Sequence, residues 1–296
     1  MTTPVAGAVA GAAAYSALDN AYRAAVARSA LLVGRILLAR WTAVQPGQLR
    51  RSAQPWLDEA VAAVLAGQRN AVQVANVYAS QVRALQLPGE SPFTPPAARP
   101  PNAEQIRTSL EFQAVNTTER ALRRATSVRD GAPDEDRDSA DRSLAGQQRQ
   151  EMDAAIRRAA GSAMRLVVGA GQDQVLDVVA ADRKALGWVR TTKAGCCYFC
   201  ALLASRGPVY KEDSFAQSDP RFIGPGQHKV HDYCGCGLRP QYGLDAPLPD
   251  RTEDYDALYV EVSRANPGVS NDELIRRFRQ AYDASPLAQR PDTIAS

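Results

Sequence analysis

Gly195-Cys-Cys-Tyr-Phe-Cys200 and His231-Asp-Tyr-Cys234-Gly-Cys236 bound the stretch on which the reading of this chain turns. All 5 cysteines and both histidines of the 296-residue sequence lie between Gly195 and Tyr242. A tetrahedral Zn²⁺ site needs four thiolate or imidazole ligands. A CxxC turn followed at a distance by HxxCxC supplies them at workable bite angles. The predicted ligands are Cys197, Cys200 and His231, with Cys234 or Cys236 as the fourth. Cys196 is set aside because its spacing to Cys200 is wrong, and His228 is read as loop surface. Four closed positions leave no place for water, which argues for a structural rather than a catalytic metal. Two other readings compete. The cysteines are small buried hydrophobes, or one is a nucleophile with His231 or His228 as base and Asp232 or Asp213 orienting it.

Strand patterns flank the cysteines. Trp188 and Arg190 alternate with Val189 and Thr191, Val209-Tyr210 follows a Gly-Pro turn, and Leu238 to Tyr242 reads as an exit strand. Ala201 to Ala204 suits one or two helical turns. Asp219-Pro220 and Gly224-Pro225-Gly226 mark a loop between them.

Upstream the pattern is helical. Leu18, Tyr22, Val26, Val33 and Leu37 recur at helical spacing across Ala12 to Thr42. A second helix is expected from about Ala53 to Leu87, interrupted at its start by Pro55 and packed antiparallel on the first. Pro88 to Pro101 cannot form helix or central strand, and reads as a flexible linker or an extended arm docked through Phe93. Asn102 is expected to cap a helix running to Ser127. A polar break with six acidic residues spans Asp130 to Asp141, and a helix with a thin apolar stripe then resumes to Ala160. Ala163 to Val179 is apolar again, with Gly169 and Gly171 expected to punctuate it. Two short helices close the chain, Glu253 to Ser263 and Asp272 to Tyr282, the second capped by Asn271.

The fold class is therefore mainly α: a long-helix N-terminal region followed by a small zinc-stabilised α+β C-terminal domain. The expected units are 1–87 (helical hairpin), 88–101 (proline-rich linker or arm), 102–185 (helical region), 186–245 (cysteine-histidine module) and 246–296 (C-terminal helices and tail). With 35 basic against 32 acidic residues the net charge is +3, too balanced to demand a nucleic-acid partner. Five clustered cysteines indicate a reducing compartment with thiols used for metal. No signal peptide and no membrane-spanning run is read, so no membrane partner is expected.

Cys197-Tyr-Phe-Cys200, then Ala-Leu-Leu-Ala-Ser-Arg-Gly-Pro-Val-Tyr210, then His231-Asp-Tyr-Cys234-Gly-Cys236 resembles the C-terminal domain of MuF-like minor capsid (head morphogenesis) proteins of tailed phages. The versions in phages and prophages of actinobacteria are the most similar. The resemblance covers Trp188 to Tyr242. It implies a virion component present in few copies, in the capsid interior or at the portal vertex. Its implied partners are the portal protein and other capsid proteins, met in host cytoplasm during assembly, with packaged DNA as a further contact. Some such relatives are fused to a capsid maturation protease. No protease is read here, since a Ser-His-Asp set would have to borrow His228 or His231 from the metal cluster. Two alternatives accompany this non-enzymatic expectation. One is a zinc-braced nuclease using His228 with Asp232. The other is a DNA-binding module using Arg120, Arg123, Arg124, Arg157 and Arg158, residues that otherwise form solvated helix faces with acidic neighbours.

Overall fold

The computed structural model describes residues 6–210, 235–243 and 245–289. Three long helices build the body: α1 (Ala6–Trp41), α2 (Leu49–Gln86) and α5 (Arg137–Ala181). At 1.5 Å per residue, the 45 residues of α5 span about 68 Å. Side-chain bonds fix the directions. Trp56 Nε1–H donates to the Leu37 carbonyl at 3.0 Å, Tyr78 donates to Asp19, and Trp41 Nε1–H donates to the Met152 carbonyl at 3.0 Å. Thus α1 runs antiparallel to both α2 and α5.

The seam between these helices is lined by small residues, which let the backbones approach closely. Ala53, Ala60, Ala71 and Ala75 of α2 and Ala155, Ala159 and Ala163 of α5 belong to one buried cluster. Aromatic pairs fill its wider parts: Tyr22 stacks on Tyr78 with centroids 4.3 Å apart, and Trp41 meets Trp56 edge-on at 4.8 Å. Gly67 marks the tightest approach. A Cβ there would lie 2.8 Å from a methyl of Val167 and 2.8 Å from one of Val33. Both neighbours are β-branched and stiff. Gly67→Ala is therefore expected to destabilise the fold by about 1–3 kcal/mol; an unchanged urea midpoint would remove Gly67 from the packing account.

Some expected boundaries move. Helix α2 begins at Leu49 and runs through Pro55. The bond that proline cannot make belongs to the carbonyl of Arg51, an exposed residue that water can serve. Helix α5 is continuous where Gly169 and Gly171 were expected to punctuate it. Gly171 is a contact point rather than a break: a Cβ there would lie 3.1 Å from the Tyr22 hydroxyl and 3.4 Å from the Ala71 carbonyl. The acidic break is shorter than expected, because α5 already starts at Arg137.

Between α2 and α5, α3 (Ala103–Glu111) continues through a π turn (Phe112–Asn116) into α4 (Thr117–Asp130). Asn102 caps α3 by accepting the Gln105 N–H at 2.9 Å. The proline-rich segment before it has no regular structure and lies along α2 and α5. Arg83 donates to the Ser91 carbonyl and sits over the Phe93 ring, Gln174 donates to the Pro96 carbonyl, and Arg99 pairs with Asp177.

The smaller lobe holds, among the described residues, a three-stranded antiparallel sheet in the order β2-β1-β3, with β1 Gly187–Thr191, β2 Val209–Tyr210 and β3 Gly237–Gln241. In its register Arg190 stands opposite Leu238 and Val189 opposite Arg239. Helix α6 (Tyr198–Ser205) packs beside β1, and α7 (Thr252–Ala265) and α8 (Asn271–Ala284) form a hairpin against α6. The cap of α8 is Ser270, one residue before the expected Asn271; its hydroxyl accepts the Glu273 N–H at 3.3 Å. Several hydrogen bonds bolt the lobe to the body. Arg239 reaches Asp19 at 3.2 Å, Gln86 brackets the end of β3 through the Pro240 carbonyl and the Tyr242 N–H, and Gln172 donates to the Cys236 carbonyl at 2.7 Å.

Candidate metal centre

After β1 the chain turns at Gly195, whose φ of 59° lies in the left-handed region. It delivers Cys196 and Cys197 to the start of α6. Cys197 is the N-cap of that helix, and its sulfur accepts the Cys200 N–H at 3.4 Å. Cys200, one turn on, is buried. Gly207, with φ 65°, closes α6 and feeds β2. On the opposite strand Cys236 is buried at the entry to β3.

The flanking glycines are fixed by space. A Cβ on Gly237 would sit 2.9 Å from the Thr191 hydroxyl and 3.1 Å from the Tyr22 ring, and one on Gly235 would sit 3.1 Å from the Lys193 side chain. Gly237 thus turns toward α1, which leaves its neighbour Cys236 on the other side of the sheet.

Cys196, which the spacing excluded, is tethered by two tyrosines. Its sulfur lies 3.6 Å from the Tyr255 hydroxyl and 3.7 Å from the Tyr282 hydroxyl, and its carbonyl accepts from Tyr282 at 2.6 Å. A hydrogen bond with Cys236, helped by those of the two tyrosines and opposed by burial, brings its thiol down to about 7. Burial raises both tyrosines well above the usual phenol range, so they remain neutral donors. Thr192 lies 3.5 Å from the Tyr255 hydroxyl. Thr192, Tyr255, Cys196 and Cys236 therefore form one contact chain on the side of the sheet away from α1. Tyr255 and Tyr282 follow Cys196 by 59 and 86 residues, and no spacing rule links them to it.

Of the five predicted ligands, the structure places Cys197 and Cys200 together on α6 and Cys236 at β3 beside Cys196. His231 and Cys234 lie outside the described residues, as do His228, Asp232 and Asp213 of the catalytic readings. Among the described residues no group of three or more His, Cys, Asp or Glu side chains is arranged to hold a metal. The described residues supply the two thiols of a CxxC helix start, with a backbone N–H on one sulfur, which is half of a tetrahedral zinc set.

The arginines of the DNA-binding alternative divide. Arg158 turns inward, donating to the Gln113 carbonyl and the Thr118 hydroxyl, and so ties α5 to the π turn. Arg123 pairs with Glu119 at 2.9 Å, and Arg120 covers the Phe112 ring. No described helix is long and apolar enough to cross a membrane.

Fold and site together define a mainly helical bundle protein with a small cysteine-bearing α+β lobe. A family model described as VG15 protein matches residues 13–262. The chain belongs to that family, a family of phage proteins. No curated protein and no solved structure matches the chain.

Proposed function

We propose that this phage protein is a structural, non-enzymatic minor capsid component that associates with the portal or the procapsid during head assembly. Its site of action is the capsid interior or portal vertex, reached from host cytoplasm. Packaged DNA is a secondary contact. In this reading the small lobe is held by Zn²⁺ through Cys197, Cys200 and His231 with Cys234 or Cys236. The metal supplies a cross-link between α6 and the entry to β3, and the protein's own part is to hold the sulfurs and exclude water.

The observation that carries the reading is the union, in one phage-family chain, of a CxxC turn capping α6 with a three-helix body about 68 Å long. The outer face of α1 supports it. Leu31, Leu32 and Leu38 are exposed there, Leu32 by 60%, beside the exposed Arg28, Arg35 and Arg40.

The test is to make particles with the gene silenced and with it restored. Restored particles should carry the protein in few copies per virion, and purified portal should retain it in a pull-down. Silencing should leave heads unfilled or misassembled. Virions without the protein, combined with normal titre after silencing, would sink the reading.

A further inference from the structure

Helices α1 and α7 display one surface pattern with opposite charge. On α1 the exposed residues Arg28, Leu31, Leu32 and Arg35 stand at i, i+3, i+4 and i+7, and so share one face. On α7 Asp254, Ala257, Leu258 and Glu261 repeat that interval, all exposed except the half-buried Leu258. In each helix the two charges lie about 10.5 Å apart along the axis, with apolar side chains between them.

None of the four charged groups is spent inside the described molecule. Arg28 and Arg35 have no carboxylate partner, and Asp254 and Glu261 no basic one, among the described residues. Arg40, the next exposed cation on α1, is by contrast taken by Glu59 at 2.8 Å. The match is specific. No other described helix shows two unpaired carboxylates seven residues apart: Glu104 and Glu111 of α3 keep the interval, but Glu111 faces Arg50 at 3.7 Å. Arg142 and Arg149 of α5 keep the basic interval, but Gly146 and Gln147 lie between them instead of leucines. Exposed leucines beside unpaired cations call for a partner that offers apolar contact and carboxylates together.

We infer that the outer face of α1 in one molecule docks on the α7 face of a second copy of this chain. Leu31 and Leu32 then lie against Ala257 and Leu258, and the two arginines meet the two carboxylates. The equal spacing serves either relative direction of the helices. The two patches differ, so the contact is heterologous and adds copies head to tail, closing into a ring where the rotation permits. Such self-association goes beyond the capsid reading and does not depend on it.

Sedimentation equilibrium of the full-length protein tests this with two charge-reversed variants. Wild type should associate as concentration rises and dissociate as salt screens the pairs. Arg28→Glu with Arg35→Glu, and Asp254→Arg with Glu261→Arg, should each stay monomeric, their association weakened about 100-fold or more by like charges. An equimolar mixture of the two should associate again, because each then offers the charge that the other lacks. A wild type that stays monomeric throughout overturns the proposal and leaves the face to a different protein. So does a variant that associates as wild type does, which marks a like-on-like contact, and so does a mixture no tighter than its components. Should a reversed variant not fold by circular dichroism, the neutral one decides. Arg28→Gln with Arg35→Gln should weaken association about 3–30-fold, the worth of two exposed ion pairs. An unchanged association constant there overturns the pairing.

Discussion

Removing metal from protein that has never met a chelator, or replacing Cys200 with Ser, is expected to melt the small lobe and leave most of the helical signal of α1, α2 and α5 in place. Structural zinc contributes about 10–16 kcal/mol of apparent folding energy in small domains. A two-residue β2 and five-residue β1 and β3 form too small a sheet to stand without help. Most of the one buried cluster that body and lobe share comes from α1, α2 and α5, which carry none of the predicted ligands. The near-UV signal of Trp188, buried in β1, should collapse, and protection of amides in β1 and β3 should fall to that of loops. Far-UV ellipticity should drop by a minor fraction. Identical melting curves before and after chelation would count against the cross-link.

Asp19→Ala should be the costliest single substitution in the bundle. Its carboxylate joins α1 to the sheet through Arg239 and to α2 through the Tyr78 hydroxyl, with both members of the ion pair almost fully buried. Burial pushes the Asp19 carboxyl upward, against the pull of Arg239 and Tyr78, so the pair meets a real desolvation cost. Removing one partner from such a pair strands the other charge and costs about 3–5 kcal/mol. Replacing both partners, as in Asp19→Leu with Arg239→Leu, should recover a large part of the loss, because no orphan charge then remains. Chemical denaturation of the three proteins reads both effects. A double variant as unstable as the worse single would show that shape, not charge, holds this joint.

The long helices were legible because Tyr22, Val26, Val33 and Leu37 repeat at the helical period, and such repeats survive any tertiary context. The breaks were less so. Pro55, Gly169 and Gly171 are breakers by propensity, yet α2 and α5 run through them, since Pro55 lies near an exposed helix start and Gly171 is required by the closeness of Tyr22 and Ala71. Strand alternation around Trp188 placed β1 correctly, but it gave no sign that Arg190 would be as buried as Val189. The pattern placed one or two helical turns after Cys200, at Ala201 to Ala204, whereas α6 already begins at Tyr198 with Cys197 as its cap. It gave no sign of the setting of Cys196, which depends on Tyr255 and Tyr282 far along the chain. Local pattern reports which residues belong to one turn or one strand; it does not report what a distant helix brings to them.

The central strand of the sheet is also the one that follows α5, after residues 182–186. Asp182, at that junction, is gripped by Arg83 at 2.8 Å, which locks the exit of α5 to the end of α2. A twist applied along the rod therefore enters the lobe through its middle rather than its rim, and is shared by a neighbour on either side. Body and lobe should turn as one piece under load. Whatever seats against the far end of the shaft would set the heading of the cysteines as directly as a key sets its bit.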